Sequence, residues 1–173
     1  DYLLYLSANN PIAVIEAKDN NHSISHGLQQ AMEYAQMLDL PFAFSSNGDG
    51  FAEHDFLTGK EREFGLGEFP TEAELIARYK GESGLTPAQE TVIDQPYYTS
   101  QTTYPPRYYQ RIAINRTMDA IARGQQRLLL VMATGTGKTY TAFQIVYRLL
   151  KCGMKRKILY LAAPNILVDQ SLQ

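Results

Sequence analysis

The stretch Ala133-Thr134-Gly135-Thr136-Gly137-Lys138-Thr139 constrains this chain more than any other part of its sequence. A phosphate-binding loop needs backbone N–H groups converging on one concavity. Gly135 and Gly137 permit that turn and a close approach of the anion. Lys138 supplies a point charge for the β- and γ-phosphates, and the Thr139 hydroxyl can ligate Mg2+. A strand should enter such a loop and a helix leave it, so that the helix N-terminus faces the anion. QRLLLVMA (126–133) reads as that strand, and the stretch after Thr139 reads as a helix to about Cys152. KILYLAA (157–163) reads as the next strand, and a further helix is expected from about Asn165. With a helix over 107–123 closed by Gly124, this order predicts an α/β unit with a parallel sheet. One departure is visible: Met132 stands where the usual motif has its first Gly. The competing reading, a glycine-rich turn with a chance lysine, is disfavoured by the flanking elements.

Composition excludes several classes. Of 173 residues, 45% are hydrophobic and 20% charged, as in folded globular chains, so a disordered tail, a collagen or a coiled coil is not expected. No apolar run approaches the roughly 18–20 residues of a membrane span. No signal peptide is seen. Cys152 is the single cysteine, which fits a reducing, cytoplasmic setting. The chain opens on Asp1 rather than Met, and it reads as a piece of something longer. Charge is unevenly spread. Residues 1–100 carry 5 Lys/Arg and 16 Asp/Glu, whereas residues 101–173 carry 11 and 2. The acidic and basic halves suggest two units with different partners, the basic one facing phosphate. Two ordinary solvated surfaces would give the same pattern.

Along the acidic half, DYLLYL (1–6) and IAVIEAK (12–18) flank SANNP, and they predict a hairpin. Ser25 is placed to cap a helix running to about Leu38, stopped by Pro41. FAFSSNGDGF (42–51) and FAEHDFLTG (51–59) read as strands with a turn. Two short exposed helices are expected over 60–95, from the capping-box pairs Thr71/Glu74 and Thr86/Gln89 with Pro87 at a first helical position. QPYYTSQTTYPP (95–106) reads as a linker or boundary.

Two constellations carry candidate chemistry besides the loop. Glu16 and Lys18 lie two apart on one strand and so share a face, with Asp1 on the neighbouring strand. Two converging carboxylates, with the Ala17 carbonyl, can hold Mg2+ through oxygen. A lysine beside them can orient a water and stabilise charge developing on phosphorus. This is the chemistry of phosphodiester cleavage, although a surface ion pair has the same local pattern. Gln30 and Tyr34, at i and i+4, project from one helix face. They could support the carboxylate edge, or form the polar side of a helix whose core face is Leu28, Met32, Ala35 and Leu38. Upstream of the loop, in Arg107-Tyr108-Tyr109-Gln110, the Gln110 amide could read adenine while a tyrosine stacks on the base.

Taken in order, Pro-Ile-Ala-Val-Ile-Glu-Ala-Lys, Gln30-x-x-x-Tyr34, Arg-Tyr-Tyr-Gln and Met-Ala-Thr-Gly-Thr-Gly-Lys-Thr resemble the R (restriction, motor) subunit of type I restriction enzymes over nearly the whole chain. The resemblance implies an α/β chain: a PD-(D/E)xK nuclease domain followed by the start of a RecA-like motor. On that basis residues 1–60 would be the later part of the nuclease domain, 61–95 a helical connector and 96–173 the first part of the motor. Asp1, Glu16 and Lys18 would be the nuclease residues, Asp1 and Glu16 holding Mg2+, with Gln30 and Tyr34 in support. Gln110, Thr134, Gly135, Thr136, Gly137, Lys138 and Thr139 would bind ATP, Thr139 touching its Mg2+. The implied substrate is unmethylated duplex DNA, cut after ATP-driven translocation. The implied partners are methyltransferase (M) and specificity (S) subunits, where S-adenosylmethionine would act, and no membrane. Ala163 and Pro164 replace the family's usual Asp-Arg, whereas Asn165, Leu167, Asp169 and Gln170 keep its pattern. No acidic DExH motif occurs in the 34 residues after Thr139, so these 173 residues alone are expected to be inactive. An ATP-gated DNA-binding module with an inactive nuclease, or a stand-alone helicase–nuclease, are the alternatives.

Overall fold

The computed structural model describes residues 1–7, 9–102 and 104–161. The helix expected near Asn165, the Ala163-Pro164 departure and the positions Leu167, Asp169 and Gln170 lie outside the described residues. The chain divides into two compact units, Asp1–Leu85 and Thr86–Gln173. The connector expected over 61–95 is thus shared between them. Among the described residues no helix is long and apolar enough to cross a membrane.

The first unit is a mixed five-stranded sheet in sequence order: β1 (Tyr2–Ser7), β2 (Asn10–Ala17), β3 (Phe42–Ser46), β4 (Gly50–Asp55) and β5 (Lys60–Gly65). Strands β2 and β3 run parallel and the other pairs antiparallel. The expected hairpin forms, but with a tighter turn than SANNP: Ser7 already faces Asn10, and Asn9 takes φ 66°. A parallel pair requires a crossover. It is supplied by a 3-10 turn, Ile24–Gly27, leading into α1 (Leu28–Leu38). Ser25 therefore lies within the turn rather than capping the helix, and Gly27 occupies the cap position without a side-chain bond. Asp39, in the left-handed conformation, ends α1.

Strand alternation divides the core in two. Val14 and Ala43 pack with Leu40 and with Ala31 and Ala35, the small side chains that let α1 lie close. Ala13, Phe42 and Phe44 pack instead with Ile12 and Leu75 of α2 (Glu72–Ser83). The capping box at α2 is present: Glu74 N–H donates to Thr71 Oγ1, and Thr71 N–H to Glu74 Oε2 at 2.7 Å. The helix expected from the Thr71 cap forms and is exposed over much of its length, but it is anchored on the sheet, and KEREFG ahead of it forms β5. Besides Leu75, the anchor is Arg78, which reaches Glu53 Oε1 at 2.7 Å and Asp55 Oδ2 at 2.8 Å, with its guanidinium over the Phe42 ring. Arg62 bonds the other Glu53 oxygen, so a carboxylate only 1% exposed is met by two cations. Burial alone would raise the Asp55 pKa. The Arg78 hydrogen bond, with those of the Leu57 N–H and Thr58, outweighs it and leaves Asp55 below its ordinary value.

The second unit packs α3 (Pro87–Ile93), α4 (Tyr108–Ala122) and α5 (Lys138–Lys151) around Val92, Tyr97, Ile114, Met118 and Leu149. The stretch 95–106 is tied down rather than a free linker. Tyr97 Oη donates to Asn115 Oδ1 at 2.7 Å, and buried Gln144 bonds both the N–H and the C=O of Tyr98. Burial holds the Tyr97 phenol up at about 12. The strands expected at 126–133 and 157–163 do not form among the described residues. Leu129, Val131, Leu159 and Leu161 are more than 80% exposed. A buried parallel strand needs hydrogen-bonded neighbours, and among the described residues these segments have none.

Arg78→Ala would strand buried Glu53 with Arg62 as its remaining cation, and it should destabilise the first unit by about 3 kcal/mol in denaturant unfolding. Asp55 titrates lower when folded, so its contribution is full above its ordinary value of 3.8 and is lost as pH falls through the folded value. The first unit should therefore weaken in acid, and less so in Asp55→Asn. Gly81 lies within α2 with open space where a Cβ would stand. Gly81→Ala should raise the unfolding free energy by about 0.5–1 kcal/mol.

Candidate functional site

The parallel β2–β3 pair and its crossover set one candidate site at the C-terminal end of β2, where open α/β sheets commonly place ligands. Glu16 is the penultimate residue of β2 and pairs with Ser45. Lys18 lies just past the strand end, and its N–H continues the ladder to the Ser46 carbonyl at 2.8 Å. The two-residue spacing brings both side chains to the face that α1 covers. Lys18 Nζ donates to Glu16 Oε1 at 2.6 Å and to Gln30 Oε1 at 2.9 Å. Gln30 Nε2 in turn donates to Tyr34 Oη at 2.9 Å. Four of the five residues singled out at this edge thus form one hydrogen-bonded chain. Its head is a carboxylate only 3% exposed, so the charge-assisted bonds run in a low-dielectric setting.

Asp1 joins through the fold rather than through a bond. The β1–β2 register places Tyr2 against Ile15, which carries Asp1 toward Glu16. Asp1 also lines an open cleft with Tyr2, Val14 and Tyr34. Glu16 Oε2 is buried without a hydrogen-bond partner. An unmatched buried carboxylate oxygen is costly, and it is the donor type a hard divalent cation takes. The Glu16 carboxylate therefore fits Mg2+, with Asp1 on the neighbouring strand as the second carboxylate the register brings toward it. Among the described residues no three His, Cys, Asp or Glu side chains converge. Such an ion would complete its shell with backbone oxygen and water, as Mg2+ commonly does.

The second unit holds the other candidate. Gly135 and Gly137 take φ of 79° and 82°, the left-handed conformations the sequence reading requires. Gly137 precedes α5 and, as a glycine, supplies no side-chain cap to the helix's leading N–H groups, the donors an anion would take. Lys138 Nζ folds onto the loop carbonyls of Met132 and Ala133, at 3.3 and 3.2 Å. Thr136 Oγ1 donates to the Ala133 carbonyl at 2.6 Å. Gln110, almost buried, sits against this loop. Its Nε2 donates to the Thr136 carbonyl at 2.9 Å, and its Oε1 accepts the Arg107 N–H at 2.9 Å. The structure thus brings Gln110 and the loop together, with the amide bonded to backbone on both sides. Thr134 and Thr139 complete the loop and the start of α5. The sequence reading missed Gln144, whose i, i+4 spacing from Tyr140 was the available signal: its Nε2 donates to Tyr140 Oη at 3.2 Å.

The family described as type III restriction enzyme, res subunit, matches residues 103–173. The chain is 51% identical, over 99% of its length, to the Type I restriction enzyme EcoAI endonuclease subunit of Escherichia coli, of which it covers 22%. It is 27% identical to the Type I restriction enzyme EcoKI endonuclease subunit of Escherichia coli K12, covering 99% of this chain and 18% of that one. A solved fragment assigned as an HsdR subunit of a type I restriction enzyme from Vibrio vulnificus YJ016 superposes with TM-score 0.79. It shares 44% identity over 88% of this chain and 28% of its own. The chain is thus a restriction-enzyme subunit homologue. More narrowly, it is a homologue of the endonuclease (R) subunit of type I restriction enzymes, spanning about a fifth of the curated relatives it matches. The match over 103–173 is consistent with the start of a helicase-like motor.

A Cβ on Gly137 would collide with Gln110 Nε2 and would strain a positive φ. Gly137→Ala in the full-length protein should abolish binding of a fluorescent ATP analogue. The hydrogen-exchange protection of β2–β4 should be unchanged.

Proposed function

We propose that this chain carries the nuclease edge and the nucleotide loop of an ATP-dependent type I restriction endonuclease, which cuts unmethylated duplex DNA after translocating it. The observation that carries this reading is the unbroken chain Glu16–Lys18–Gln30–Tyr34, set on the same polypeptide as a phosphate loop with both glycines in left-handed conformations. Residues 1–85 form the nuclease part and the region beyond them opens the motor. Glu16 and Asp1 hold Mg2+, which when bound offsets phosphate charge as a Lewis acid. Lys18, fixed by Glu16 and Gln30, orients the attacking water and meets the charge that develops on phosphorus. Gln30 and Tyr34 hold Lys18 in place. In the second unit the leading N–H groups of α5 and Lys138 bind the ATP phosphates, and Thr139 touches their Mg2+. Lys138 leaves its loop carbonyls to do so. Gln110, lying against Thr136 and Gly137, reads adenine once its amide leaves the Thr136 carbonyl and the Arg107 N–H. M and S subunits supply target recognition.

The test uses the full-length protein with its M and S subunits, Mg2+ and a circular plasmid bearing an unmethylated target. Linearisation should require hydrolysable ATP. Lys138→Ala should lose both ATP turnover and cutting. Lys18→Ala should keep ATP turnover and lose about 100-fold or more of the cutting rate. Cutting without ATP would contradict the coupling, and ATP use without any cutting would favour an inactive nuclease.

A further inference from the structure

Gly27 ends the 3-10 turn with φ −88° and ψ −3°, a conformation open to any residue. Its backbone therefore gives no reason for glycine. Its surroundings do. A Cβ there would stand 2.8 Å from Ser45 Oγ, 2.9 Å from Glu16 Cγ and 3.3 Å from Lys18 Cε. These neighbours are the two charged residues of the candidate nuclease edge and the strand residue paired with one of them. By contrast, a Cβ on Gly67 or Gly81 would meet nothing within 4 Å.

Ser45 is fully buried on β3, opposite Glu16. Its Oγ accepts the Gly27 N–H at 3.1 Å and donates to the Ile24 carbonyl at 2.8 Å. One hydroxyl thus clamps both ends of the turn from which α1 departs, and Gln30 follows three residues later on that helix. We propose that Gly27 and Ser45 are positioning residues for the Glu16–Lys18 pair: the side chain Gly27 lacks is the space the pair occupies, and the Ser45 hydroxyl holds the turn at the distance that lets Gln30 reach Lys18. Two linked closures result. Glu16, Lys18 and Gln30 are joined by side chains, whereas Ser45, Ile24 and Gly27 are joined through backbone. Shifting either moves the carboxylate relative to the lysine. The inference rests on the nuclease reading above, but its geometric half can be tested apart from it.

The experiment uses the full-length protein with M and S subunits, in single-turnover cleavage across a Mg2+ titration. Gly27→Ala should slow cleavage by about 10- to 100-fold, the scale of a misplacement near 1 Å, and should raise the Mg2+ concentration at half-maximal rate. ATP turnover should stay as in the wild type, as should cleavage by the control Gly67→Ala. Ser45→Ala removes one atom and introduces no clash, so it tests the clamp even if Gly27→Ala fails to fold. It should speed hydrogen exchange of the Gly27 amide, read in peptides over 24–28, and slow cleavage to a lesser degree. Cleavage by Gly27→Ala within twofold of wild type, or a loss of amplitude at an unchanged Mg2+ midpoint, would overturn the proposal. Unchanged Gly27 exchange in Ser45→Ala would overturn it as well. Lys18→Ala separates the two readings: undiminished cutting by that variant would remove the nuclease assignment, while the exchange result would still decide the clamp.

Discussion

One carboxylate organises the first unit's candidate site. Glu16 is drawn out of water by the strand that carries it, and only one of its oxygens is met, by Lys18. Burying a charge without full pairing costs several kcal/mol, so the surroundings of such a group must be fixed by something stronger than its own bonds. Here that is the crossover between β2 and β3. It lays a stripe of alanines on the sheet, brings Gln30 to Lys18, and sets the turn at Gly27 against the carboxylate's own methylenes. A second buried carboxylate, Glu53, shows the contrast. It is answered by two arginines and serves to fasten α2. Each carboxylate keeps one buried oxygen without a hydrogen bond, but that of Glu53 has the Arg78 cation 2.7 Å away, whereas the ion pair of Glu16 is made through its other oxygen.

The second unit solves a different problem, holding a glycine-rich loop against packed helices. Gly135 and Gly137 turn the loop through left-handed conformations, and Gly137 gives α5 no side-chain cap. Rigidity comes from side-chain amides used as backbone substitutes. Gln110 bridges α4 to the loop, and Gln144 takes the place of a neighbouring strand for Tyr98. The fold thereby binds the phosphate loop into the same packed body as the Tyr-rich stretch before α4.

Features set by short spacings were legible in the sequence. The two capping boxes, the Glu16–Lys18 alternation, the Gln30–Tyr34 pair and the glycine pattern of the loop each depend on residues within a turn or two of each other. Features set by distant partners were not. KEREFG is too charged to read as a strand, yet it pairs with β4 as a sheet edge, where charged side chains are tolerated. QRLLLVMA and KILYLAA have strand composition, but a strand exists only with a paired neighbour, and composition cannot supply one. Gly27 looked like any glycine near a helix start, because the contact that gives it meaning lies 18 residues away at Ser45. Gln110 was read as an adenine contact from its spacing to the loop, while its bonds to Thr136 and Arg107 emerge only once α4 is packed.

The central claim is that the free oxygen of Glu16 is the seat of a divalent metal. It is tested most directly by substituting Fe2+ for Mg2+ in the full-length protein without nucleotide, then generating hydroxyl radicals with ascorbate and peroxide. The account predicts backbone scission clustered at β1, the end of β2 and Ser45, lost in Glu16→Gln and retained in Lys138→Ala. Absence of scission there, or scission that persists in Glu16→Gln, would contradict it.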